Sequence, residues 1–133
     1  MRKTILFVMM LATMLALLAC RRSVPIENAD VHINTAVNTM LTQQDVRTAI
    51  INACPVTGWV ARDIADNTLE ATLELRSHTA VVDIIYSPTH YKIVYKKSIN
   101  LEAKNGKIHP NYNSWINNLR KNIDRELAKK TLQ

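Results

Sequence analysis

Between Trp59 and Ser98 apolar and polar side chains alternate with a period of two, and this pattern predicts four strands: Trp59 to Ile64, Thr68 to Arg76, Thr79 to Ser87 and Tyr91 to Ser98. Keeping the apolar positions on one side fixes a register. With Ser77-His78 as a two-residue turn, Leu75 faces Ala80, Leu73 faces Val82, Ala71 faces Ile84 and Leu69 faces Tyr86. With Ser87-Pro88-Thr89-His90 as a four-residue loop, Tyr86 faces Tyr91, Ile84 faces Ile93 and Val82 faces Tyr95. A slip of one residue would turn every one of these side chains to the other face, so the agreement is informative. The opposite face then carries the rows Glu70-Ile85-Lys92, Thr72-Asp83-Val94 and Glu74-Val81-Lys96. It is polar, crossed by an aliphatic diagonal of Val81, Ile85 and Val94.

Helical spacing flanks the strands on both sides. Thr42 with Asp45 resembles a capping box, and Val46, Ala49, Ile50, Ala53 and Cys54 follow on one helical face until Pro55 stops the helix and Gly58 turns the chain. After a basic loop with Lys97, Lys104, Gly106 and Lys107, Asn111 is placed to cap a second helix whose Tyr112, Trp115, Ile116, Leu119, Ile123 and Leu127 recur at spacings of three and four. A sheet with one apolar face needs one cover, and two amphipathic helices supply it. The expected fold class is α+β: two layers, a four-stranded antiparallel meander with two helices packed on one face, in the order α-β-β-β-β-α.

The N-terminus follows a different pattern. Arg2 and Lys3 precede Ile5 to Ala19, an apolar run broken only by Thr13, and Cys20, Arg21 and Arg22 end it short of the roughly 20 residues that span a bilayer. This reads as a secretory signal. Its last residues, Leu17-Leu18-Ala19-Cys20, resemble the lipobox of bacterial lipoproteins. The resemblance implies cleavage before Cys20, lipidation of that residue, and, because Arg21 rather than Asp follows, the outer membrane in preference to the inner. The competing readings are an ordinary signal peptide with an incidental Cys20 and an uncleaved short anchor. From Arg21 to Leu41 the sequence is polar without a repeating apolar pattern, although Ala36, Val37 and Met40 could form a turn of helix. The chain thus divides into a signal peptide over 1–19, a lipidated N-terminus and flexible tether over 20–41 reaching about 70 Å when extended, and one periplasmic domain over 42–133.

Composition narrows the function classes. At 133 residues, 47% hydrophobic and 21% charged, the chain holds one core and no room for separate cofactor and substrate domains. With Cys20 lipidated, Cys54 has no partner for an intrachain disulfide, and its place on an apolar helix face points to a buried, inert thiol. Charge is uneven: residues 27–91 hold three basic and eight acidic side chains, residues 92–133 ten basic and three acidic. The basic C-terminal part, with Lys104, Lys107 and His109 as candidate ligand or anion contacts, suits lipopolysaccharide phosphates, anionic lipid or an acidic protein; the alternative is a solvated helix and loop. Nucleic acid is a poor partner for an exported, lipid-anchored protein.

Candidate chemistry is sparse. His32, His78, His90 and His109 lack metal-ligand spacing, adjacent Ser77 and His78 cannot form a nucleophile–base pair by themselves, and two Gly in all leave no phosphate loop. No catalytic residue, metal or cofactor is therefore assigned. Tyr86, Tyr91, Tyr95, Tyr112 and Trp115 could line a groove, but the strand Tyr lie on the side the helices should cover. Leu75-Arg76-Ser77-His78, the Tyr-rich hairpin and Ile108-His109-Pro110-Asn111-Tyr112-Asn113-Ser114-Trp115-Ile116 resemble a group of small, largely uncharacterised proteobacterial outer-membrane lipoproteins. The resemblance spans most of residues 42–127 and implies location and fold, not activity. The expectation is a membrane-anchored, non-enzymatic accessory factor that binds another envelope protein through Val81, Ile85, Val94, Lys92 and Lys96, with homodimerisation through the same face or a free strand edge also open. The alternatives are a lipoprotein recognising peptidoglycan, lipopolysaccharide or a small molecule and, less favoured, a hydrolase using Ser77, His78 or His109.

Overall fold

The computed structural model describes residues 22–34 and 40–131. The expected signal peptide over 1–19, Cys20, Arg21, Ala36 and Val37 lie outside them. In chain order the elements are β1 (Val24–Pro25), β2 (Ala29–His32), α1 (Gln43–Val56), β3 (Trp59–Ala65), β4 (Thr68–Leu75), β5 (His78–Ser87), β6 (His90–Ile99), β7 (Lys107–Ile108) and α2 (Pro110–Thr131).

The fold is α+β, but the main sheet has five antiparallel strands in the order β2-β6-β5-β4-β3, and β1 pairs with β7 in a second, two-stranded sheet. The expected four-stranded meander is β3 to β6. What it lacked is β2, which closes on β6 with Ala29 opposite Ile93 and His32 opposite His90. The stretch expected to be a flexible tether therefore supplies two strands. Its signal was present: Ala29, Val31 and Ile33 alternate with Asp30, His32 and Asn34 and put three apolar side chains on the covered face. The run is too short to stand out alone, and pairing with a strand sixty residues away is what stabilises it.

The β5–β6 register is as the alternation demands, Tyr86 opposite Tyr91, Ile84 opposite Ile93 and Val82 opposite Tyr95. The β4–β5 register differs by two residues: Leu75 pairs with His78, Leu73 with Ala80, Ala71 with Val82 and Leu69 with Ile84. The turn is Arg76-Ser77, one position earlier than expected, with Arg76 at φ 57°. Because the shift is even, every apolar residue keeps its face. A bulge at Val81/Val82 adds a residue to β6 and pairs Val81 with Lys97.

The capping box at Thr42 and Asp45 is formed in both directions. Pro55 does not stop α1; it sits in the last turn, where its carbonyl accepts from Gly58 N at 3.1 Å and Gly58 turns the chain at φ +82°. Asn111 is not the cap of α2 either. Pro110 is the first helical residue, and His109 caps, its Nδ1 accepting from Asn111 N at 3.2 Å. A single core joins the two helices to one sheet face: Val46, Ala49, Ile50, Ala53 and Cys54 of α1 and Tyr112, Ile116, Leu119, Ile123 and Leu127 of α2 pack with Trp59, Leu69, Ala71, Val82, Ile84, Tyr91 and Ile93. Leu101 and Ile108 close it beneath the β1–β7 sheet.

Candidate functional site: the open face of the sheet

Among the described residues only one sheet face is covered, and the alternate side chains of five strands are left to water or to a partner. Across the middle of this open face runs the row Arg62, Glu70, Asp83, Val94. Glu70 Oε1 accepts from Arg62 Nε at 2.9 Å, and Lys96 Nζ lies 2.9 Å from Glu70 Oε2 and 3.0 Å from Asp83 Oδ1. The bulge is what sets Lys96 there. These ion pairs, first with Lys96 and then with Arg62, hold the Glu70 carboxyl down to about 2 and raise the Lys96 ammonium above its ordinary value. Glu70 is only 8% exposed, the one charged residue among the described residues that is buried. Towards β2 a second group forms, in which Asp30 accepts from Lys92 Nζ at 3.0 Å and from His90 Nε2, whose ring stacks on His32. Around these charges sit four exposed aliphatics, Val60, Ile64, Ile85 and Ile99.

The candidate partner residues all belong to this face by register, but not all of them are accessible. Ile85, Lys92 and Lys96 are there and accessible, and Val94 is half-buried. Val81 is 4% exposed and offers no contact surface, because Thr72 and Lys97 pair on either side of it and the bulge sets Lys96 and Lys97 together beside it. The aliphatic diagonal is therefore broken by the charged row. Val60, Ile64 and Ile99, which take its place, were not singled out from sequence; their signal was exposure at strand ends, invisible until the strands are aligned. β3 is also an edge strand, paired on one side only.

The other candidate groups separate. Lys104 and Lys107 flank an Asn105-Gly106 turn with φ 52° and 72°, forming a tight hairpin with backbone bonds of 2.9 and 3.0 Å. The basic residues of 92–133 form no single patch: Lys92 and Lys96 are paired on the open face, Lys97, Lys104 and Lys107 lie at one end of the sheet, and the rest follow α2. Of the aromatics, Tyr86, Tyr91 and Tyr112 are buried and Tyr95 packs edge-on to Tyr112, so they are core. Tyr91 donates to Asp124 Oδ1 at 2.6 Å, and burial pushes its hydroxyl well above the usual range.

His78 and His109 come together, ring centroids 6.5 Å apart, with Trp115 6.3 Å from His78. Both Nδ1 atoms are already used, in opposite ways. His78 Nδ1 donates to Asn100 O at 2.8 Å, which leaves its Nε2 lone pair free, whereas His109 Nδ1 accepts from Asn111 N as the helix cap, which puts the proton of a neutral ring on Nε2, so the pair does not offer two ligand atoms to one metal. His90 is at the opposite end of the sheet, and no group of three metal-ligating side chains occurs among the described residues. Ser77 contributes its carbonyl, to Asn100 Nδ2 at 2.7 Å, not its hydroxyl. Cys54 is buried, and desolvation pushes its thiol up to about 12, far from a reactive thiolate. A cavity of about 350 Å³ between β2 and the end of α2 includes His32 and Asp124, but the Asp124 carboxylate is held by Tyr91 and Arg120.

No helix among the described residues is long and apolar enough to cross a membrane. No family model matches the chain, and no curated protein or solved structure matches it either.

Proposed function

We propose that the chain is a lipid-anchored, non-enzymatic lipoprotein on the periplasmic face of the outer membrane, and that the open sheet face docks another envelope protein. Lipidation at Cys20 rests on Leu17-Leu18-Ala19-Cys20 and the apolar run before it. The observation that carries the docking reading is a sheet face without cover among the described residues, on which charges are already paired and exposed Val60, Ile64, Ile85 and Ile99 surround them. Paired charges are ordered before a partner arrives, so less side-chain freedom is lost on docking, while the aliphatics supply apolar area.

Cross-linking of tagged protein in intact envelopes, followed by mass spectrometry, tests this. One dominant envelope protein should be captured and lost in Ile85→Lys and Val60→Lys, but kept in Asn118→Lys, an exposed site on α2. Capture of a second copy alone would replace the adaptor with a homodimer. Retention of peptidoglycan or lipopolysaccharide fragments with no protein would overturn the reading.

A further inference from the structure

The N-terminal segment is pinned to one end of the domain. Val24 pairs with Ile108 and Pro25 with Lys107, Ile26 N donates to Gly106 O at 2.9 Å, and Asn113 of α2 clamps the same stretch by donating to Pro25 O at 2.9 Å and accepting from Glu27 N at 3.1 Å. From there β2 runs along β6 to His32. The free length between Cys20 and the first paired residue, Val24, is therefore four residues, about 14 Å at full extension, not the roughly 70 Å of a twenty-residue tether.

That end is also where unpaired positive charge collects. The β4–β5 turn, the end of β6, the 104–107 hairpin and the start of α2 all lie there, bringing Arg22, Arg76, Lys97, Lys104 and Lys107 to one end; all five are exposed, and none has an ion-pair partner among the described residues. Glu27, Glu74 and Glu102 are the acidic residues at this end, and the Glu27 carboxylate accepts from Asn117 Nδ2. The N-terminus of α2 adds its partial positive charge. At the far end Lys129 and Lys130 are instead matched within the fold, by Glu126 and Asp45.

We infer that the domain stands on the membrane in one orientation, with the Lys104–Lys107 hairpin and its basic neighbours against the anionic phospholipid headgroups of the leaflet that holds Cys20. The inference rests on the lipidation proposed above. A lipid at Cys20 cannot move far from a hairpin its own chain is bonded to, so Lys104 and Lys107 sit within reach of headgroup phosphates, where each basic side chain adds attraction that salt weakens. The open face then stands roughly along the membrane normal, exposed sideways to proteins anchored beside it.

The test uses the full lipidated chain in phosphatidylethanolamine vesicles with and without phosphatidylglycerol. Nitroxide labels are placed at Ala103→Cys, near the hairpin, or Thr89→Cys, at the opposite end; buried Cys54 stays unlabelled. Relaxation by a nickel chelate attached to lipid headgroups reports proximity. The Ala103→Cys label should relax about threefold or more faster than the Thr89→Cys label in anionic vesicles. Lys104→Glu with Lys107→Glu should bring the two labels together while the protein still pellets with vesicles and keeps its circular dichroism, and high salt should act in the same direction. Equal relaxation of both labels in the unmodified chain overturns the orientation, and so does a contrast indifferent to lipid charge and to the lysines. Failure of the lipidation reading looks different: the chain then pellets no better than Cys20→Ala.

Discussion

The covered and open faces of the sheet are made by alternate residues of the same strands, yet they handle polarity in opposite ways. On the covered face Leu69, Ala71, Val82, Ile84, Tyr91 and Ile93 are sealed by the helices, and the polar atoms that enter it are few: Tyr91 finds Asp124, while Tyr112 Oη and Trp59 Nε1 have no hydrogen-bond partner among the described residues. On the open face Glu70 is almost as buried, but it is a charge, and Arg62 and Lys96 answer both of its oxygens. A covered face is held by apolar area and tolerates an occasional orphan hydroxyl. An open face holds its carboxylate only because neighbouring strands supply cations at matching register.

Substitutions one residue apart break this comparison most sharply. Ile84→Ala, fully buried, should cost about 3 kcal/mol in urea unfolding, whereas Ile85→Ala, its neighbour on the other face at 45% exposure, should change stability by less than about 0.5 kcal/mol. Equal costs would mean that the open face is covered in solution. Next in size are two of the buried tyrosines, Tyr91 and Tyr112. Tyr91→Phe removes a hydrogen bond to a carboxylate and should cost about 1.5 kcal/mol, while Tyr112→Phe loses no bond and should be neutral or slightly stabilising. Thermal melts of the pair would refute this if the order were reversed.

Glu70 sharpens the contrast through pH. Its folded value, about 2, lies below the ordinary 4.5, so its ion pairs stabilise the native state fully above the ordinary value and are lost as pH falls from there towards the folded one. Glu70→Gln should therefore be less stable at neutral pH and lose less stability on acidification across that window; an unchanged acid profile would show that the row contributes nothing. The smallest signal expected is from Cys54. Held up to about 12 by burial, it should not react with a disulfide reagent at neutral pH until the chain unfolds.

Much of this arrangement was legible residue by residue. The alternation from Trp59 to Ser98, the capping box at Thr42 and the stripe from Tyr112 to Leu127 placed the meander, both helices and nearly all of the core, because those periodicities are long enough to exclude alternatives. The β5–β6 register was legible from Val82 to Tyr86, but the expected Val81–Lys96 pairing was not found, because the bulge puts Lys97 opposite Val81. The β4–β5 register was not legible, since a shift of two residues preserves every face and only the conformation of Arg76 separates the two pairings. The Asn105-Gly106 turn and the alternation from Ala29 to Ile33 were readable signals, but short ones. Lys96 and Ile85 could be put on the open face, yet Val81 could not be withdrawn from it without the bulge.

Alone, the order of residues determined which side chains face inward, where α1 begins, and that an apolar run ends at a Cys20 resembling a lipobox cysteine, for these depend on neighbours within a few positions. Tertiary structure decided what joins residues far apart: that 24–32 is pinned strand rather than tether, that Glu70 is satisfied by Arg62 and Lys96, and that His78 meets His109 with both Nδ1 atoms occupied. Such contacts depend on loop closure and on strand register across the whole sheet, and local periodicity carries no information about either.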